Sequence, residues 1–155
     1  MKCSKLTIAI VLSIASVVLT GCGARDTAVA SAARTVPVTI TSAGKAHRFS
    51  IEVARTPAEQ ARGLMFRTRI APDGGMLFPM DPPRSASFWM KNCPVSQDWF
   101  FIRADGTVAR LVRNTVPFST DPVGVDEPVA AVLEIAGGRA AELGIVEDAI
   151  VTWPR

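Results

Sequence analysis

The sequence predicts an α+β, β-rich domain: a compact, mostly antiparallel, barrel-like sheet with two short helices. Three observations carry that prediction. Short alternating or apolar runs recur through the chain, separated by Gly, Pro and Asp turn signals. Helical patterning is confined to two brief segments, each closed by a glycine, Gly63 and Gly144. The connections are short enough that hairpins dominate, which favours an antiparallel sheet closing on itself.

The elements follow in order. Val36 to Thr41 and Arg48 to Val53 alternate on either side of Ser42-Ala43-Gly44 and read as a hairpin. Thr56-Pro57-Ala58-Glu59 is a capping box with proline at the first helical position, and Gly63 ends that helix. Met76 to Phe78 is a short apolar strand. Met80-Asp81-Pro82-Pro83 is expected to break regular structure, because adjacent prolines remove two backbone donors. Strands are expected at Ala86 to Met90 and Asp98 to Arg103, and Asp105-Gly106 signals a two-residue hairpin into Val108 to Leu111. Asn114 to Pro128, rich in proline and acid, reads as a long surface loop. Val129 to Ile135 is a strand, Gly138 to Leu143 a helical turn or two, and Ala149 to Trp153 a last strand. The count is seven or eight strands, with the helices plugging the ends of the barrel.

The N-terminus has another character. Lys2 and Lys5, the apolar stretch Leu6 to Leu19 and Leu19-Thr20-Gly21-Cys22 form a secretory signal over residues 1–21. The apolar stretch falls short of the roughly 20 residues that a spanning helix needs. The tetrad resembles a bacterial lipobox, which implies cleavage before Cys22 and lipid on its sulfur. Residues 22–35 then form a tether, and 36–155 a single domain held at a membrane through Cys22. No Asp follows Cys22, so the expected location is the outer membrane, facing the periplasm, in a host that has one.

Processing alters the charge and the cysteines. The chain has 17 basic and 14 acidic residues, +3 in all; removing Lys2 and Lys5 leaves 15 against 14. The charges are interspersed, so no nucleic-acid footprint is present. With Cys3 removed and Cys22 lipidated, Cys93 stands alone, and the domain must be held by its apolar core.

The densest chemistry lies between Ser85 and Ile102, where Lys91, Asn92, Cys93 and Asp98 sit between the apolar blocks Phe88-Trp89-Met90 and Trp99-Phe100-Phe101-Ile102. One reading is a polar pocket in which Arg67, Lys91 and Asn92 bind an anion or carbonyl group and Asp98 orients Lys91, with Arg84 within its reach. The other is a scaffold, with Asn92 capping a turn before Pro94 and Lys91 paired to Asp98. Both satisfy the demand that buried polar groups be paired. Cys93 lacks an evident base, His47 is the one histidine and lies outside every motif, and an inert thiol is the expectation. No His, Cys or acidic cluster has metal spacing, so neither metal nor cofactor is expected. Met65, Met76, Met80 and Met90 read as core filler. The acids Asp73, Asp81, Asp121, Asp126 and Glu127 read as solvated loop residues.

Several blocks together resemble the family known as domain of unknown function 192. They are Gln60 to Arg67, Gly75-Met76-Leu77-Phe78, Phe88-Trp89-Met90-Lys91-Asn92, Asp98, Asp105-Gly106, and Leu133-Glu134-Ile135 followed by Gly138 and Leu143-Gly144-Ile145. The resemblance runs from about Val36 to Trp153 and implies a compact, often exported, β-rich domain with no established activity. Cys93 departs from it, since relatives usually carry a small polar residue such as Thr there. The functional expectation is an exported, lipid-anchored binding module for a small anionic ligand or cell-envelope component. The alternatives are an envelope hydrolase or transferase using Asp98 or Lys91, and a structural partner in an envelope complex that would show an exposed apolar patch.

Overall fold

A computed structural model describes residues 35–154. The expected signal segment, Cys22 and all but the last residue of the tether lie outside the described residues. Seven strands and two helices follow in the order β1 (Thr35–Ser42), β2 (Lys45–Val53), α1 (Pro57–Arg62), β3 (Gly75–Phe88), β4 (Gln97–Ile102), β5 (Val108–Val112), β6 (Val123–Ala136), α2 (Arg139–Glu142) and β7 (Ile150–Thr152). The strands form one sheet in the order β5-β4-β6-β3-β2-β1-β7. A bridge between Thr107 and Ile150, and a 2.8 Å bond from the Val151 N–H to Gly106, tie the two ends together, so the sheet curls into a half-barrel. Strand orientation is mixed: β2 runs parallel to β3 at Glu52–Met76 and Val53–Leu77, and the other pairings are antiparallel.

Local chemistry accounts for the elements. Ala43 and Gly44 both take positive φ, 48° and 73°, as a tight two-residue turn between right-twisted strands demands. At the start of α1 the Thr56 hydroxyl accepts the Glu59 N–H while the Glu59 carboxylate accepts the Thr56 and Arg55 N–H groups, each at 2.8 Å. Those amides hold the Glu59 carboxyl below its ordinary range. Gly63 closes the helix at φ 47°, and a Cβ there would press on the Phe78 ring.

Three expectations about the strands and their connections change. Met80 to Pro83 lies within β3, one 14-residue strand that joins what the sequence divides in two. The lost donors still show, since the β3–β6 register jumps between Pro79 and Arg84 and no ladder pair forms in between. Asn114 to Pro128 is not one long loop: β6 begins at Val123 and pairs with β3 through Phe88. The turn after β4 is a wider loop over residues 103–107, held by Asp105, which accepts from the Thr107 N–H and hydroxyl.

Strand alternation divides the core in two. Leu77, Phe100, Ile102, Leu133 and Ile135 point into the half-barrel with Val38, Ile40 and Ile51. Met76, Phe78, Trp99, Phe101 and Val132 point to the opposite face, which the segments around residues 64, 90 and 93 cover. The helices differ accordingly. Ala140 of α2 belongs to the inner core, whereas α1 buries none of its residues and plugs nothing. Instead, α1 is moored by Gln60, whose amide donates to the carbonyls of Ala54 and Pro79. The methionines behave as core: Met76, Met80 and Met90 are buried in the outer cluster and Met65 packs on its edge.

Candidate functional site

The four polar residues singled out by sequence do not converge. Arg67 closes its guanidinium fork on Glu52, with both nitrogen–oxygen distances at 2.6 Å. Lys91 lies over the Trp89 ring, 5.2 Å from its centroid. Asn92 takes φ 59°, accepts the Phe66 N–H on its carbonyl and turns its amide toward the Met65 sulfur. Asp98 is fully buried at the start of β4, and its carboxylate accepts the N–H groups of Asn114, Gly138 and Ala140 at 2.8, 3.0 and 2.8 Å. It therefore caps α2 from a distant strand, a service that Gly138 cannot perform for itself. No hydrogen bond or ion pair links any two of the four among the described residues. Asp98 belongs to the scaffold, although its partners are backbone amides where the sequence suggested Lys91.

A different residue emerges from the outer core. β6 sends Val132 and Glu134 to the outer face as it sends Leu133 and Ile135 inward. Glu134 stands between Met76 of β3 and Trp99 of β4 in the ladder. It is 5 % exposed, and no salt bridge or hydrogen bond to its carboxyl forms among the described residues. The remaining exposure opens into a cavity of about 280 Å³ beneath α1, walled by Leu64, Met65, Phe78, Phe88 and Trp89. Burial alone pushes the Glu134 carboxyl up to about 8, so at neutral pH the group is mostly the neutral acid, a hydrogen-bond donor.

Cys93 lines the same cavity. Burial, then the charge on Glu134, push its thiol up to about 11, against a weaker opposing hydrogen bond with Gln97. Gln97 is itself buried, and its oxygen accepts the Trp99 indole N–H at 2.7 Å. The thiol is thus a weakly polar wall element rather than a nucleophile. Two other cavities lack a buried acid of this kind: one of about 640 Å³ holds Arg67, Arg69 and Asp73, and one of about 340 Å³ lies beside Pro79, Asp81 and Trp153. Among the described residues, no group of three or more His, Cys, Asp or Glu side chains is placed to hold a metal.

Comparison with known proteins places this architecture. The family model DUF192, described as Uncharacterized ACR, matches residues 38–153. The chain belongs to the DUF192 family. A solved structure of a protein of unknown function from Novosphingobium aromaticivorans DSM 12444 shares 45% identity at a TM-score of 0.74, over 77% of this chain and 85% of that one. A structure from Sinorhizobium meliloti 1021, named "putative transcription regulator", shares 36% identity at a TM-score of 0.74, over 77% and 93%. No curated protein matches.

Sequence reading places Glu134 within a strand and gives it no role. The signal was available: Glu134 is the one charged residue in the run Val129-Ala-Ala-Val-Leu-Glu-Ile135. An ionisable side chain inside an apolar strand is either paired or perturbed.

Proposed function

We propose that this protein is an exported, lipid-anchored binding module whose ligand enters the cavity beneath α1 and meets the Glu134 carboxyl. The observation that carries the reading is a single desolvated acid in a mainly apolar pocket that also holds Gln60, Arg62 and Ser87, the usual composition of a small-molecule site. Because the acid is mostly protonated at neutral pH, it favours a neutral ligand with an apolar body and a carbonyl or amide acceptor. This moves the expected ligand away from an anion. Arg67, the cation best suited to an anion, is already closed on Glu52.

A hydrolase or transferase acting through Asp98 has less support, since the Asp98 carboxylate is committed to three amides. A general acid at Glu134 has the right protonation, yet no activated nucleophile accompanies it. Binding is the reading that uses the features present.

The test is NMR titration of the protein with phenylacetamide and phenylacetate at pH 6. The proposal expects phenylacetamide, and a wider series of N-alkyl amides, to shift signals of Met65, Phe88, Cys93 and Glu134, with the effect lost in Glu134→Leu. If no member of the amide series perturbs these residues, or if phenylacetate alone does, the reading fails.

A further inference from the structure

We infer that the loop platform bearing Phe66, Trp89 and Phe118 seats on an anionic phospholipid surface. Phe66, Trp89, Val116 and Phe118 are 67, 49, 68 and 62 % exposed, an unusual concentration of large apolar side chains in water. They belong to three loops that backbone hydrogen bonds tie into one surface. The Phe66 N–H donates to Asn92 and the Phe118 N–H to Cys93, so the two phenylalanines flank consecutive residues. The Met90 N–H donates to Ser119, which brings Trp89 beside Phe118.

The aromatics are held in place. Phe66 and Phe118 have φ of 64° and 61°, a left-handed conformation that a bulky side chain rarely adopts. The hydrogen bonds fix that conformation while leaving the rings in solvent. Lys91 is exposed on the same platform with its ammonium over the Trp89 ring. Arg62 adds a second cation on the neighbouring cavity rim. Aromatic rings interleaved with cations are the chemistry of the lipid headgroup boundary.

The point of chain entry favours a membrane over other occupants. Thr35 shares a cavity lining with Glu52 and Arg67, and its hydroxyl accepts from Ser50 at 2.8 Å. The described chain therefore begins beside Arg67, the residue that follows Phe66 in sequence. From Cys22 to Thr35 the chain can reach no more than about 45 Å, so an anchor at Cys22 would keep this platform close to the bilayer and raise its effective concentration there. In this last respect the inference rests on the proposed lipid anchor.

The experiment uses the chain extracted from a bacterial envelope and reconstituted into phosphatidylglycerol–phosphatidylethanolamine vesicles, with and without brominated acyl chains. Tryptophan emission is compared between wild type and Trp89→Phe, which separates Trp89 from buried Trp99 and partly buried Trp153. The inference expects bromolipid to quench the Trp89 component at least twofold. It also expects Phe66→Ser with Phe118→Ser to abolish quenching while circular dichroism and vesicle flotation are unchanged. Flotation without quenching of Trp89 overturns it, as does a shift of the platform into contacts between copies or with an added apolar peptide. If the wild type does not float, the anchor reading fails separately. Excess vesicles then decide the platform: Trp89-dependent quenching supports it, and its absence overturns it.

Discussion

Glu134 and Cys93 line one cavity, and the charge that Glu134 would carry adds to burial in keeping the Cys93 thiol protonated. With the thiol pushed up to about 11, roughly one part in a thousand is thiolate at pH 8. Alkylation of Cys93 by iodoacetamide, followed by mass spectrometry of its peptide, is predicted to be at least a hundredfold slower than that of an unfolded control. Glu134→Gln is predicted to speed it severalfold by removing the nearby negative charge. Equal rates in folded and unfolded protein would contradict the burial of this thiol.

The buried acid also sets a pH dependence. Glu134 is raised from 4.5 in the unfolded chain to about 8 in the fold. Below about 4.5 both states hold the proton and this contribution is fully present. Between 4.5 and 8 only the folded state holds it, so stability declines with rising pH, by up to about 1.4 kcal/mol per unit. The loss levels off above 8. Thermal midpoints from pH 5 to 9 are predicted to fall in the wild type and to fall less in Glu134→Gln, which gains relative stability at the alkaline end.

Asp98 is predicted to matter for folding and not for ligand binding. Asp98→Ala strands three N–H groups, those of Asn114, Gly138 and Ala140. The predicted cost is about 3–5 kcal/mol, since hydrogen bonds to a buried charge are strong and the Ala140 donor is orphaned at a buried position. Asp98→Asn should lose less, because one oxygen remains while its amide opposes the Ala140 donor. Urea unfolding at pH 7 measures both.

Arg67 presents the contrast. Its bridge to Glu52 has short bidentate geometry, but the two side chains are 42 % and 21 % exposed. Arg67→Ala is predicted to cost no more than about 1 kcal/mol, as partly solvated pairs do, and to leave amide binding beneath α1 intact. A loss of binding would shift attention to the larger cavity that Arg67 lines.

Much of this fold is legible in the sequence because local chemistry dictates it. The Ala43-Gly44 turn, the Thr56–Glu59 capping box and the apolar strand Trp99 to Ile102 each carry their own signal. The long strands β3 and β6 are not legible in that way. Prolines at 82, 83 and 128 argue locally for loops, whereas tertiary pairing carries both strands past them with breaks in register. Asp98 illustrates a second limit. Its importance was visible between apolar blocks, but its partners lie 16 to 42 residues away and are backbone amides, which no side-chain pattern announces. Glu134 was hidden for the opposite reason: its strand alternation is clear, yet both faces of β6 are apolar, so the outer face does not look like a surface.

The measurement that bears most directly on the central claim is a carbon-detected NMR titration of the Glu134 side-chain carboxyl, from pH 4 to 10, in the free protein. The account predicts a midpoint near 8, with the neutral acid predominant at pH 7 and available to donate into the cavity. A midpoint near the ordinary 4.5 would mean a solvated or paired carboxylate, and the cavity beneath α1 would lose its claim to be the binding site.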